Sequence, residues 1–148
     1  MSIALTFHIL AVIIWVGGMF FAHMALRPAS IETLEAPQRL TLWAGVFKRF
    51  FFWVWISIIL LLVSGFWMFS LFPKPPIYIH IMTGVGTIMM LIFGHLYFSP
   101  YRKLKNFVAN QSWQEAASAL GQIRTFVGIN LVLGIITTIV ATAGKYFL

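Results

Sequence analysis

The sequence predicts an all-α fold, an integral membrane bundle of four helices, and three observations predict it. The 148 residues are 61% hydrophobic and only 9% charged, too little charge to cover a water-soluble domain of this size. Four apolar runs, at about 3–26, 50–72, 77–98 and 126–147, each supply the roughly 20 residues needed to cross about 30 Å of hydrocarbon. The cations gather in the short segments between these runs, as the positive-inside rule requires. Backbone groups in lipid must pair within their own segment, so each run is a helix. The alternating apolar and polar segments of a membrane barrel are absent.

The first run lacks a basic leader and a small-residue cleavage site, and reads as a retained span. The connection after it carries Arg27, Arg39, Lys48 and Arg49, with Pro37 suited to the first turn of the next helix. Pro73-Lys74-Pro75-Pro76 stops the second span abruptly. The connection after the third carries Arg102, Lys103, Lys105 and Arg124, and Ser112-Trp113-Gln114-Glu115 is a capping box that starts the last helix before it enters the membrane. The loops rich in lysine and arginine are expected in the cytoplasm and both termini in the periplasm, within a single domain, 1–148, in a bacterial inner membrane. Trp53, Trp67, Tyr78, Tyr97, Tyr101 and Tyr146 fall near span ends and are expected to form the interfacial aromatic belt.

Composition narrows the function. The net charge of +7 is distributed as topology signals and does not point to nucleic acid. With no cysteine, disulfides, thiolate metal sites and cysteine nucleophiles are excluded. Aspartate is absent, and Glu32, Glu35 and Glu115 lie outside the spans, which argues against a proton-coupled pump and against hydrolytic chemistry. Asn130 is the most polar non-histidine residue of a span and reads as interhelical glue.

The four histidines form a pattern. His8 and His80 stand 72 positions apart, as do His23 and His95, Phe21 and Phe93, and Pro28 and Pro100. This predicts two parallel copies of a two-helix unit. Within each copy the histidines are 15 residues apart, about 22 Å along a helix and about 60° apart around it. His8 and His80 should therefore share the outer level, and His23 and His95 the inner one. Imidazoles in a span are costly and usually face the bundle interior; they ligate haem iron, copper and zinc. Interhelical hydrogen bonding is the plainer use of each taken singly.

The expected cofactor is haem b, one or two copies, ligated by His8 with His80 and by His23 with His95. Arg49 and Arg124 are candidate propionate partners on the inner side, Lys74 or Tyr78 on the outer. Gly17, Gly18, Gly84, Gly86 and Gly94 offer either a slot for a flat macrocycle or close helix packing. The function expected is transmembrane electron transfer, as a membrane oxidoreductase exchanging with a quinone or another redox protein and able to form a homo-oligomer. Copper is the competing ligand, since Met19 and Met24 flank His23 and Met82 follows His80.

The segments Phe7-His8-Ile9-Leu10-Ala11-Val12, Trp15-Val16-Gly17-Gly18-Met19, Lys48-Arg49-Phe50, Ser64-Gly65-Phe66-Trp67 and Gly94-His95-Leu96-Tyr97 resemble CopD-like bacterial inner-membrane proteins over most of the chain. The resemblance implies a four-helix unit of a type associated with copper resistance and uptake. The chain is also similar in size to HemJ, a four-helix membrane protein that binds haem b and oxidises protoporphyrinogen, whose first-helix histidine corresponds to His8. That family's third helix starts with His-Ala-Lys. Here His80-Ile81-Met82 puts methionine in place of the lysine, a departure that bears on porphyrinogen oxidation more than on haem binding.

Overall fold

The computed structural model describes residues 1–147, and they form helices joined by short turns. α1 (Ser2–Phe21) runs through a π-helical turn (Ala22–Leu26) into α2 (Arg27–Thr33). α3 (Ala36–Ser70), α4 (Ile77–Phe98), α5 (Pro100–Ala109) and α6 (Trp113–Phe147) follow. Four continuous or nearly continuous rods are long and apolar enough to cross a membrane, so the chain is a multi-pass membrane protein.

Most boundaries follow from local chemistry. α3 opens on a capping box between Glu35 and Gln38, with Pro37 in its first turn. α6 starts at Trp113, where the sequence predicts it. The Pro73–Pro76 segment separates α3 from α4. Pro28 has no N–H to give Met24, and its ring crowds that carbonyl. The π turn immediately before it absorbs the misfit. Ser99 leaves helical geometry (φ −119°, ψ −84°) just before Pro100, which opens α5.

α5 is an element the sequence analysis leaves as loop. Its Tyr101 and Leu104 are buried while Arg102, Lys103 and Lys105 are exposed, so it is an amphipathic helix lying against α6. With it, the element order repeats. Each half is a membrane helix, a short proline-opened helix and a 35-residue helix: α1–α2–α3, then α4–α5–α6. The tightest packing is within each half, α1 on α3 and α4 on α6. At 1.5 Å per residue α3 and α6 are each about 52 Å long, well beyond the hydrocarbon thickness, so their first turns project from the membrane at the cationic end.

The core is an aromatic stack toward that end. Phe47 and Phe51 stack at 4.9 Å, and Phe51 meets Phe93 and Tyr101 edge-on at 5.3 and 4.9 Å. Trp15 and Trp55 close on Phe93 from α1 and α3. Tyr101 is buried and Tyr97 half-buried in this stack, so these two belong to the core, not to the aromatic belt expected of them. Trp53, Trp67 and Tyr146 are exposed, as belt residues are. Gly18 lets the Phe50 ring lie against α1, and Gly134 sits tightly on Val16 and Met89. Gly17, Gly84, Gly86 and Gly94 face open space and take no part in close helix packing.

Candidate functional site

The two histidine levels follow from the helix directions. At the end away from the cations, His8 Nδ1 lies 2.9 Å from Ser64 Oγ, and its Cε1 lies 3.6 Å from where a Cβ on Gly65 would stand. His80 meets the Phe69 ring edge-on, with 5.7 Å between centroids. Gly65 and Phe69 are four residues apart on one stripe of α3, about 6 Å along its axis. His8 from α1 and His80 from α4 thus each touch α3 toward its C-terminal end, at residues about one helical turn apart along the axis, while α1 packs mainly on α3 and α4 mainly on α6. His8 is half-buried and His80 exposed.

The Ser64 hydroxyl is the hydrogen-bond partner that bears on the tautomer of His8. Its single hydrogen is donated to the Leu60 carbonyl one turn back. With that hydrogen on Leu60, Ser64 Oγ is an acceptor toward His8, and the tautomer that fits is the one protonated at Nδ1. Nε2 is left with a free lone pair. A ring nitrogen anchored through its N–H while the other is bare is the arrangement that orients metal-ligating histidines.

At the cationic end, His23 sits in the π turn against α6, its Cε1 3.5 Å from where a Cβ on Gly128 would stand. His95 meets the Phe126 ring on the same helix at 5.2 Å. The level is again shared, but Phe126 and Gly128 are two residues apart and project about 200° apart around α6. His23 and His95 approach that helix from different sides.

His23 also lines a cavity of about 310 Å³ together with Arg27, Arg39 and Arg124, floored by Trp43 and Phe47. A second, open groove of about 500 Å³ shares His23, Arg27 and Arg124 and continues along α6 past Gly128, Ile129 and Val132. Arg124 is where the sequence analysis looks for an inner cation. Arg49 is not at the cavity: its Nη1 donates to the Gly45 carbonyl of its own helix at 3.1 Å. Arg27 and Arg39 take that place, brought in by the α2–α3 corner, where Arg39 Nη1 also donates to Leu34 O at 3.3 Å.

Asn130 acts as interhelical glue, its Nδ2 donating to the Met89 carbonyl at 3.1 Å. Its Oδ1 and the Ser57 hydroxyl are buried without partners. Among the described residues no group of three or more histidine, cysteine, aspartate or glutamate side chains converges. A metal at the outer level would have two imidazoles as its histidine ligands; Met82, two residues after His80, projects about 200° away from it around α4.

The family model CopD, Copper resistance protein D, matches residues 44–143. That is more than half of the chain, and the chain belongs to this family. No curated protein and no solved structure matches it.

Proposed function

We propose that this member of the copper resistance protein D family handles copper at its outer histidine level, with His8 and His80 as the ligands. The observation that carries the reading is the His8–Ser64–Leu60 relay. In the Nδ1–H tautomer that this relay favours, Nε2 of His8 is a bare donor near the end of α3 that His80 contacts through Phe69. Imidazole suits copper, and Cu(I) accepts few ligands, so two imidazoles suffice for it. Copper is the cargo in this reading. The loops rich in lysine and arginine face the cytoplasm and the outer level faces the periplasm, so copper would meet His8 and His80 from the periplasmic side of an inner membrane.

Haem b is the second reading, motivated by two histidines at one level on the parallel helices α1 and α4. It would take His8 and His80 as axial ligands, and the protein would carry electrons to or from a quinone or a redox partner. The inner histidines are not needed for either reading.

Purified protein, titrated anaerobically with Cu(I) against a competing chelator and examined in parallel for a pyridine haemochrome, separates the two. The copper reading expects one Cu(I) per chain, lost in His8→Ala and in His80→Ala and kept in His23→Ala and His95→Ala. Iron porphyrin at stoichiometry with no Cu(I) site replaces it with the haem reading. Absence of both groups overturns the histidine site altogether.

A further inference from the structure

Three arginines from three different elements, Arg27 of α2, Arg39 of α3 and Arg124 of α6, line one cavity at the cationic end. No acidic side chain is among the described residues lining it or the adjoining groove. The only acidic side chains of the chain, Glu32, Glu35 and Glu115, are exposed. Like charges gathered at the edge of a low-dielectric slab repel, and an anion between them removes the repulsion. Topology signalling requires cations on this side of the membrane, but it does not require them to converge on one cavity.

The shape says what kind of anion. The arginine cavity does not close over a small ion. Through His23, Arg27 and Arg124 it opens into the groove on the membrane-facing side of α6, where Ile129 and Val132 are exposed at 44% and 57%. Gly128 lines the groove where the His23 ring lies against α6. The site is therefore amphiphilic in the order a lipid is: three arginines at the interface, then apolar wall running toward the bilayer centre. A free phosphate would use the first part only.

We propose that this cavity and groove hold an anionic phospholipid, its phosphate on Arg27, Arg39 and Arg124 and an acyl chain along Gly128, Ile129 and Val132. Basic pockets between membrane helices take anionic headgroups in this way, and guanidinium pairs with phosphate oxygens through two parallel hydrogen bonds. The bound lipid would hold the α2–α3 corner against α6 across the boundary of the two repeats. The inference is independent of the outer histidine site.

The test is native mass spectrometry and thermal melting of the whole protein in neutral detergent, with phosphatidylglycerol and phosphatidylcholine of identical chains added in turn. Phosphatidylglycerol is expected to stay bound at one per chain and to raise the melting temperature, with phosphatidylcholine weaker by about tenfold or more. Arg27→Gln and Arg124→Gln should each weaken phosphatidylglycerol by about fivefold, the loss of one interfacial cation. Lys103→Gln on α5, outside the cavity, should not. Equal binding of the two lipids by the unaltered protein overturns the proposal, whatever the variants do. So does displacement of phosphatidylglycerol by millimolar inorganic phosphate, which would make this a site for a free anion. Copper binding is read separately, so loss of one result leaves the other standing.

Discussion

Gly134→Ala tests the packing that sets the two repeats against each other. A Cβ at this position would stand 2.8 Å from Val16 Cγ2 and 3.3 Å from Met89 Cε, where carbon pairs prefer about 3.5–4.0 Å. Met89 can yield, being unbranched. Val16 cannot, because a β-branched side chain in a helix has essentially one rotamer. The added methyl must then push α1 from α6. Overpacking of this kind costs about 1–3 kcal/mol, against about 1 kcal/mol gained by replacing glycine with alanine in a helix. The net expectation is a loss of about 1 kcal/mol. In a Val16→Ala background the clash is removed and the same substitution should become stabilising, a reversal worth about 2 kcal/mol of coupling. Equilibrium unfolding in mixed micelles with rising dodecyl sulfate, followed by tryptophan fluorescence, measures both. Gly17→Ala, which meets nothing within 4 Å, is the control and should not destabilise. If Gly134→Ala has the same effect with and without Val16→Ala, the helix placement argued above is wrong.

Other perturbations follow from the same contacts. Phe51→Ala, at the centre of the aromatic stack and 2% exposed, should cost about 3 kcal/mol, whereas Phe52→Ala, 60% exposed to lipid, should be near neutral in the same unfolding assay. Asn130→Leu removes one interhelical hydrogen bond and an unpaired Oδ1 together, so it should cost no more than about 0.6 kcal/mol. Ser64→Ala leaves His8 in place but frees its tautomer, and Cu(I) affinity should fall about 10- to 100-fold by chelator competition while the unfolding midpoint barely moves.

The membrane spans and their punctuation were legible because they rest on local chemistry: long apolar runs, Pro37 in a first turn, the Pro73–Pro76 break, and Ser112 before α6. α5 was legible in principle. Pro100 opens it, and Tyr101, Leu104 and Val108 recur at helical spacing, but the many cations between them masked the pattern. Tyr97 and Tyr101 looked like belt residues because distance from a span end is ambiguous once the chain turns back as a helix against α6. Assigning His8 with His80 and His23 with His95 to two levels takes only arithmetic on rise and spacing. What each imidazole faces does not follow from it, since that depends on how α3 and α6 rotate about their own axes. The convergence of Arg27 and Arg39 with Arg124, in place of Arg49, is likewise tertiary. It is made by the α2–α3 corner and leaves no local trace in the sequence.

The proposed function stands on the protonation of one ring, and nitrogen NMR of the protein labelled with ¹⁵N-histidine in lipid bilayers reads it directly. The account predicts that His8 is protonated at Nδ1 and bare at Nε2 before metal is added. Diamagnetic Cu(I) should shift Nε2 of His8 and a ring nitrogen of His80 while Nδ1 of His8 keeps its proton. A His8 ring protonated at Nε2, or Cu(I) leaving both rings unshifted, would contradict it.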